Sequence, residues 1–257
     1  MGALDGHVAV VTGGNGGIGL GLARGLARAG AAVAVWGRDE QKTASAVDEL
    51  EGMAIEALGV RCNVADEADV DRAMQETLGR FGRVDSCFAN AGVPGTAAPF
   101  PELAFAEWRH VLGVNLDGTF LTLRAAANHM VERGGGGALV AVSSTAAIHG
   151  TARKAHYGTS KTAVLGLMRA IAVELAPHGI RCNSLLPGWT ETDMTSPEGA
   201  FGTKRYERFV ENTTYRTPVK RWASPEEFEA VAVFLADPRH TFHTGDAMVV
   251  DGGYTIF

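Results

Sequence analysis

The sequence has few cysteines and no long apolar run, and both shortages limit what the protein can be. It holds three cysteines in 257 residues, Cys62, Cys87 and Cys182, each in or beside a predicted strand. An odd, widely spaced set forms no disulfide framework and lacks the paired spacing of structural zinc sites. We therefore expect buried thiols in a reducing compartment, a cytoplasmic location and no bound metal.

Basic residues are also in short supply: 23 Lys and Arg stand against 29 Asp and Glu, a net charge of −6. Nucleic-acid binding needs a basic face, so we expect no nucleic acid as a partner. No stretch approaches the ~20 apolar residues that cross a bilayer, and the N-terminus lacks the pattern of a signal peptide. What the sequence does have, 46% hydrophobic and 20% charged residues, is typical of a globular protein with a sizeable core.

Apolar strand-like runs alternate with helical patterns along the whole chain. The predicted strands are residues 8–12, 32–36, 55–61, 86–90, 139–143, 181–186 and 247–251, and the predicted helices are residues 17–29, 39–50, 67–81, 105–133, 157–176 and 225–236. Such alternation indicates βαβ units. We predict an α/β fold in one domain of residues 1–257: a doubly wound, parallel, seven-stranded sheet with helices on both faces.

A glycine-rich turn follows the first predicted strand and precedes the first predicted helix. Its glycines at positions 13, 17 and 19 are spaced differently from the commoner Gly-x-Gly-x-x-Gly pattern. A turn of this kind lets backbone N–H groups approach a pyrophosphate at the N-terminus of a helix, although a glycine loop can also simply turn the chain. The flanking strand and helix favour a nucleotide site. An S-adenosylmethionine methyltransferase would also place a glycine turn here.

A tyrosine and a lysine, Tyr157 and Lys161, are four residues apart, which places both on one face of a helix. A nearby cation lowers the pKa of a phenol, and a shift of roughly 3 units corresponds to about 4 kcal/mol. That shift would bring the phenol close to neutral pH, where general acid–base catalysis is most efficient. Ser144 lies upstream and could hold the oxygen that exchanges the proton. Taken alone, the pair is weak evidence and is more typical of an ordinary surface helix.

Together these motifs resemble the short-chain dehydrogenase/reductase family. The resemblance covers nearly the whole chain and rests on Thr-Gly-x-x-x-Gly-x-Gly at 12–19, Asn-Ala-Gly at 90–92, Asn115, Ser144, Tyr157 with Lys161, Pro-Gly at 187–188 and Asp-Gly-Gly at 251–253. It implies a Rossmann fold and hydride transfer between a nicotinamide cofactor and a secondary alcohol or ketone. The alternatives are the methyltransferase, which has no use for Tyr157, Lys161 and Ser144, and a catalytically silent dinucleotide-binding or scaffold protein.

The resemblance also implies a role for each catalytic residue. Tyr157 is the general acid for ketone reduction and the general base for alcohol oxidation. Lys161 lowers the pKa of Tyr157 and bonds the nicotinamide ribose, and Ser144 bonds the substrate oxygen. Asn115 holds a water linked to Lys161, or else its amide fills a gap in backbone hydrogen bonding inside a helix.

Cofactor contacts follow from the same resemblance. They are Gly13, Asn15, Gly17, Ile18 and Gly19 at the pyrophosphate, Asn63 and Val64 at the adenine, Asn90, Ala91 and Gly92 after the fourth strand, and Pro187, Gly188, Thr190 and Thr192 around the carboxamide, beside Tyr157 and Lys161. The chain departs from the family at Asn63, where Asp is commoner. An amide carbonyl can still accept a hydrogen bond from the adenine amino group.

The second strand predicts which dinucleotide is used. NAD-preferring relatives usually carry Asp at the Gly37 position, where it bonds the ribose and repels a 2′-phosphate. Gly37 does neither, and Arg38 can pair with a 2′-phosphate through a charge-assisted fork. Gly16, by contrast, stands where many NADP-preferring members add a basic residue, and Arg38 could instead stack on adenine. We expect NADP(H) in preference to NAD(H).

Two further expectations concern the periphery of the site and the assembly. Residues 190–218 correspond to the mobile substrate lid of the family, and their alternative is an ordinary surface excursion. His149, Arg153, His156 and Trp189 flank the predicted pocket as walls or surface groups. The helix at 157–176 is apolar on most sides, although one apolar face would cover the sheet. We therefore expect a homotetramer, with a dimer as the alternative, acting on a small carbonyl or alcohol substrate.

Overall fold

Seven short strands rich in Val and Ala form one sheet. The computed structural model describes residues 2–196 and 203–257 of the chain. The strands are β1 (Val8–Thr12), β2 (Ala32–Gly37), β3 (Ala57–Arg61), β4 (Ser86–Ala89), β5 (Gly137–Val142), β6 (Ile180–Pro187) and β7 (Ala247–Val250). All pairs are parallel in the order β3-β2-β1-β4-β5-β6-β7. The predicted doubly wound α/β fold is confirmed.

Helices cover both faces of this sheet. They are α1 (Gly17–Arg28), α2 (Glu40–Glu51), α3 (Glu67–Phe81), α4 (Phe105–Leu112), α5 (Gly118–Arg133), α6 (Ala155–Leu175), α7 (Thr203–Arg216) and α8 (Glu229–Ala236). Aspartate side chains start two of them, because Asp39 accepts from the Lys42 amide at 3.0 Å and Asp66 from the Asp69 amide at 3.1 Å. Such caps satisfy amides that the first helical turn leaves free.

Two apolar cores lie on opposite faces, because successive strand residues point to opposite sides of the sheet. One core packs α1, α2 and α8 against strand residues such as Val33 and Val35. The other packs α3, α5 and α6 against the alternate set, including Ala34 and Trp36. Burial on both faces explains why the central strands are almost entirely apolar.

Three predicted elements differ from the structure. The helix predicted at 225–236 begins as a 3₁₀ turn, Pro225–Phe228, and is α-helical only from Glu229. The single helix predicted at 105–133 is interrupted by one π-helical stretch, Gly113–Asp117, between α4 and α5. The third strand begins at Ala57 rather than at residue 55, because the chain turns at Ala54, which has a φ of 62°. The segment corresponding to the predicted lid contains a 3₁₀ turn, Asp193–Thr195, and α7, while its residues 197–202 lie outside the described ones.

The sheet fixes where a ligand can bind. β1 and β4 are neighbours, although two strands separate them in the sequence, so the crossovers before and after this point run in opposite directions. Open α/β sheets bind ligands in the crevice at such a point, outside the carboxyl ends of the strands. Among the described helices, none has both the length and the apolar character needed to cross a membrane.

Candidate active site

A cavity of about 1200 Å³ opens at the carboxyl ends of the strands. All but one of the predicted site residues line it: Gly13, Asn15, Gly17, Ile18, Gly19, Arg38, Asn63, Val64, Asn90, Ala91, Gly92, Ser144, Tyr157, Lys161, Pro187, Gly188, Thr190 and Thr192. The exception is Asn115, which is fully buried behind the wall. The structure thus brings residues from the whole length of the chain to one cleft.

The glycine turn forms a cradle that side chains would fill. Gly13 and Gly17 have φ values of 62° and 50°, which disfavour any other residue. A Cβ on Gly19 would collide with the Gly13 carbonyl, and one on Gly17 would lie 2.9 Å from the Thr192 side chain. Helix α1 begins without a side-chain cap, so its first amides face the cleft as donors. These features fit the pyrophosphate of a dinucleotide.

Asn15 links the glycine turn to the loop after β2. Its Nδ2 donates to Thr43 Oγ1 at 2.9 Å and to the Asp39 carbonyl at 3.4 Å. This amide occupies the space beside Gly37, where an added Cβ would collide with Asn15 Nδ2 and lie 2.6 Å from Thr43 Oγ1. The place of the ribose-binding aspartate of NAD-preferring relatives is therefore taken by Asn15.

Two cations stand at the same end of the cleft. Arg38 is exposed and lines the cavity. Lys42, which sequence reasoning missed, also lines it, and its Nζ lies 2.7 Å from Asp193 Oδ2. This ion pair joins the first turn of α2 to the segment after β6. The sequence shows a lysine four residues after Arg38, but Asp193, with which this lysine forms an ion pair, is 151 residues away in the sequence.

Thr12 and Asn90 hold the ends of β1 and β4 together. The amides of Asn90 and Ala91 both donate to Thr12 Oγ1 at 3.0 Å. In return, Asn90 Nδ2 donates to the Thr12 carbonyl at 2.9 Å and to the Gly13 carbonyl at 3.3 Å. The Asn90 side chain therefore supports the glycine turn. Thr12 stands first in the glycine motif but was not predicted as a site residue.

Tyr157 lies in the first turn of α6, which projects its side chain into the cleft beside Ser144. Both side chains line the cavity, and Ser144 Oγ accepts from the Ala146 amide at 3.1 Å. Burial raises the pKa of Tyr157, and Ser144 opposes that rise only in part. Removing the phenol from water disfavours the phenolate, and this burial effect opposes the lowering of the pKa that we expect from Lys161.

Lys161 lies one turn further along α6 and is almost fully buried. Its Nζ donates to the Val142 carbonyl at 2.9 Å and lies 5.9 Å from the centre of the Tyr157 ring. Burial lowers the pKa of Lys161 to about 8. Ser143 supports the same region by donating to the Lys161 carbonyl at 2.7 Å.

Asn115 sits in the π-helical stretch and braces the chain after β4. Its Oδ1 accepts from the Val93 amide at 2.8 Å, while Nδ2 donates to the Val93 carbonyl at 3.0 Å and to Ser160 Oγ at 3.1 Å. A Cβ on Gly92 would lie 3.2 Å from Asn115 Oδ1 and 3.3 Å from Lys161 Nζ, so both groups flank the same glycine. The side chain fills a backbone hydrogen-bonding gap in the neighbouring loop.

The other predicted cofactor residues are partly engaged within the chain. Asn63 Oδ1 accepts from the Ala65 amide at 3.3 Å. Thr190 Oγ1 donates to the Gly188 carbonyl at 3.2 Å. Thr192 Oγ1 lies 3.2 Å from Thr195 Oγ1 in the cap of the following 3₁₀ turn. These contacts fix the loops after β3 and β6 around the cleft.

The residues expected to flank the pocket divide into two groups. His149, Arg153 and Trp189 line the cavity, whereas His156 does not. His156 is fully buried: its Nδ1 accepts from the Tyr157 amide at 2.8 Å, and its Nε2 donates to the Thr96 carbonyl at 3.1 Å. It therefore ties the start of α6 to the loop after β4. Lys154, another lining residue that sequence reasoning missed, donates to the Pro94 carbonyl at 3.1 Å.

The chain is similar to known proteins over nearly its whole length. The family profile described as enoyl-(acyl carrier protein) reductase matches residues 13–255. The chain is 37% identical to an L-rhamnose 1-dehydrogenase (NAD(P)(+)) of Sphingomonas sp. (strain SKA58), over 100% of this chain and 99% of that protein. It is 37% identical to an A-factor type gamma-butyrolactone 1′-reductase (1S-forming) of Streptomyces virginiae, over 100% of this chain and 98% of that protein.

A solved structure shows the same fold. A short-chain type dehydrogenase/reductase from Mycobacterium marinum superposes with a TM-score of 0.91 at 34% identity, covering 98% of this chain and 96% of that one. Nothing in these comparisons supports the alternative of a catalytically silent binding or scaffold protein. The chain belongs to the short-chain dehydrogenase/reductase family and is an NAD(P)-dependent oxidoreductase of CH–OH groups.

Proposed function

We propose that the protein interconverts a secondary alcohol and the matching ketone with NADP(H) as the preferred cofactor, and that Tyr157 is its general acid and base. The observation that carries this proposal is the convergence of three groups. Ser144 lies near enough to Tyr157 to lower its pKa, and the ammonium of Lys161 lies beside the Tyr157 ring. All three line the cleft that the glycine turn opens.

The chemistry follows from what each group can donate or accept. When bound, the nicotinamide supplies the hydride acceptor for oxidation and the hydride donor for reduction. Ser144 would donate a hydrogen bond to the reacting oxygen and so fix it beside Tyr157. In oxidation the Tyr157 oxygen takes the hydroxyl proton, and in reduction it returns a proton to the carbonyl oxygen. Lys161 would stabilise the phenolate form and hold the cofactor ribose, and Asn115 would hold a water near Lys161.

The test is the substitution Tyr157→Phe, which removes the phenolic oxygen and keeps the ring. General acid–base catalysis contributes typically ~10²–10⁴-fold, so kcat should fall by about that factor. Cofactor binding, measured by quenching of protein fluorescence, should stay close to wild type. Tyr215→Phe is the matched control, because Tyr215 is exposed and lies outside the cleft. Turnover of Tyr157→Phe near the wild-type level, with a panel of secondary alcohols, would overturn the mechanism.

The preference for NADP(H) rests on Gly37, Asn15 and Arg38. Because the Asn15 amide fills the space next to Gly37, the site has no acidic side chain there to repel a 2′-phosphate. The exposed guanidinium of Arg38 lines the cleft one residue further on and suits a phosphate fork. The ammonium of Lys42 lines the same end of the cleft, where it is paired with Asp193, so Arg38 is the cation on which the preference rests.

Three further parts of the proposal concern the periphery of the enzyme. Residues 190–218 form the substrate lid, since Met194 and Phe209 line the cleft and Asp193 pairs with Lys42 across it.

The enzyme is a homotetramer, for which exposed apolar side chains on two separate surfaces give support. It resides in the cytoplasm, because all three cysteines are buried and free.

A further inference from the structure

Three aromatic residues, Trp189, Phe209 and Tyr254, form part of the wall of the cavity that also holds Ser144 and Tyr157. Trp189 stacks on Trp222 with ring centres 5.6 Å apart and meets Phe209 edge-on at 4.8 Å. Tyr254 completes this wall, with its ring 6.2 Å from Trp189 and 5.7 Å from His149. An aromatic wall by itself suits the carbon skeleton of almost any small alcohol.

Three buried polar atoms interrupt this wall without a hydrogen-bond partner in the described part of the chain: Trp189 Nε1, Thr151 Oγ1 and His149 Nε2. All three residues line the cavity. The remaining unpartnered atoms belong to Arg133, Arg181, Glu229 and His243, whose side chains each have another polar atom in a bond or ion pair. The side chains of Thr151 and Trp189 have no second polar atom that could be paired.

Two other tryptophans in the described part of the chain are buried, and in both the indole N–H has a hydrogen-bond acceptor. Trp36 Nε1 donates to Thr77 Oγ1 at 3.0 Å, and Trp222 Nε1 donates to Thr213 Oγ1 at 2.9 Å. Trp222 is the direct stacking neighbour of Trp189. An unpaired buried polar group costs about 1–3 kcal/mol, so an unpaired indole N–H at the cavity wall points to a partner that arrives with the substrate.

The chemistry of the three atoms defines that partner. His149 Nδ1 lies 3.2 Å from the Gly150 carbonyl, which can only accept, so in the neutral ring Nδ1 carries the proton and Nε2 is an acceptor. Trp189 Nε1 is a donor only, and Thr151 Oγ1 is both donor and acceptor. A donor, an acceptor and a hydroxyl together match alcohol groups, which donate and accept at once. Trp189 and Thr151 carry no charge, and the ammonium of Lys154 is already held by the carbonyls of Pro94 and Gly95.

From this we infer that His149, Thr151 and Trp189 bind a hydroxyl of the substrate other than the reacting one, so that the enzyme acts on vicinal diols and polyols in preference to simple secondary alcohols. This inference rests on the proposed function, because it assigns a second subsite within the same cavity. A site built to bond a hydroxyl discriminates strongly against an analogue that lacks it, since its polar groups are then buried unpaired.

The experiment compares matched substrates, 1,2-cyclohexanediol (cis and trans) against cyclohexanol and butane-2,3-diol against butan-2-ol, by kcat/KM with the cofactor-loaded enzyme. Calorimetric binding of the same alcohols to the cofactor complex gives a second readout. We expect at least one diol to exceed its mono-ol partner by about 100-fold or more. Thr151→Val and Trp189→Phe remove one polar atom each and should lower this ratio about 5- to 100-fold.

Trp222→Phe is the matched control. It removes an indole N–H from the same aromatic cluster, but one that Thr213 already accepts, so the ratio of diol to mono-ol should not change. Equal kcat/KM for diols and mono-ols, a ratio unchanged in Thr151→Val and Trp189→Phe, or a preference for a hydroxy acid over both classes would overturn the inference while leaving the proposed reaction intact. Absence of turnover with every alcohol and ketone would instead count against the proposed function.

Discussion

Lys161 is the residue at which function and stability conflict. It is 4% exposed, and burial lowers its pKa from 10.5 to about 8, so at pH 7 it still carries a charge inside the fold. A shift of that size corresponds to roughly 3 kcal/mol of destabilisation in the charged form. The cleft therefore keeps a cation at a cost in stability, as is common for active sites.

We predict that Lys161→Met abolishes turnover but raises the free energy of unfolding at pH 7 by about 1–3 kcal/mol. The folded pKa lies below the unfolded one, so between pH 8 and 10.5 the unfolded wild-type chain binds more protons than the folded one. The stability of the wild type should thus rise with pH in this window, and the advantage of Lys161→Met should shrink. Urea unfolding at pH 7, 8 and 9 measures both effects.

Arg169→Met serves as the control for this prediction, because Arg169 is an exposed cation on the same helix. Its substitution should give a stability change below about 0.5 kcal/mol at every pH. A stability difference between wild type and Lys161→Met that stays constant from pH 7 to 9 would contradict the assigned cause.

Arg38 is predicted to read the 2′-phosphate. A hydrogen bond to a charged group contributes about 1.5–3 kcal/mol, so Arg38→Ala should weaken NADPH binding roughly 10- to 100-fold and NADH binding far less. Titration by fluorescence quenching measures both dissociation constants. Arg61→Ala is the control, because Arg61 is the neighbour of Gly37 in the sheet register, pairs with Glu40 at 3.5 Å and does not line the cleft. Equal losses for both cofactors in Arg38→Ala would show that this arginine does not distinguish them.

Adding an acidic residue at position 37 is a less direct test of the cofactor preference than the sequence alone suggested. Gly37→Asp would supply the ribose acceptor and the like charge, which shifts preference toward NADH. Its side chain would, however, displace Asn15 from Thr43 and disturb the glycine turn, so NADPH and NADH binding would both change for structural reasons. The glycine at position 37 predicted that the ribose-binding carboxylate is missing. Only the fold shows that the amide of Asn15, which comes from another loop, fills the space beside Gly37.

At the scale of elements, the sequence predicted the order of strands and helices, because burial on both sheet faces and helical periodicity are local patterns. It missed the π-helical break in the predicted helix at 105–133, because no single residue of Gly113–Asp117 forbids a regular helix. The break arises from a contact made elsewhere in the fold, between Asn115 and Val93. Such single-turn π segments occur often at functional sites.

We predict that Asn115→Leu, which keeps the volume and removes the amide, destabilises the protein by about 2–4 kcal/mol. The half-buried N–H and C=O of Val93 would lose their partner, and the chain after β4 would loosen next to Gly92. Hydrogen exchange of the Val93 amide should accelerate more than that of amides in the strands. The loosening should also weaken cofactor binding and lower kcat.

Thr122→Val provides the comparison for Asn115→Leu. Thr122 is also fully buried, one helical segment further on, but its hydroxyl only returns to the Gly118 carbonyl of its own helix. That substitution should cost less than about 1 kcal/mol, because such bonds add little to a helix. Similar exchange rates for the Val93 amide in wild type and Asn115→Leu would show that Asn115 does not hold this loop.

At the scale of the whole molecule, the excess of apolar residues on α6 is smaller than the sequence suggested. Val164, Leu165, Met168 and Ala172 are buried in the core of the chain itself, whereas Val173 is 80% exposed. A sequence pattern shows how many faces of a helix are apolar. It does not show how much of each face the neighbouring elements bury. Only what stays exposed after folding can support association.

Among the exposed apolar side chains of the described residues, two sets lie on surfaces that we expect to hold subunits together. The first is on the helices α5 and α6, with Phe120, Val131 and Val173. The second lies along β7, the edge strand of the sheet, with Val249 and with Phe242 in the loop before it. Isologous contacts through two distinct surfaces close into a tetramer, and contacts through one surface give a dimer. An exposed sheet edge also needs covering, because unpaired strands favour association.

We predict that the protein is a tetramer at micromolar concentration by light scattering, and that a charge on either surface leaves a dimer. Val173→Glu places carboxylates face to face across the helical contact, and Val249→Glu does so at the edge of β7, while the double variant should be a monomer. Phe100→Glu is the control: Phe100 is 74% exposed but belongs to neither surface, so this variant should remain a tetramer. A wild-type monomer at micromolar concentration would rule out the tetramer. A tetramer in the double variant would show that other surfaces hold the assembly.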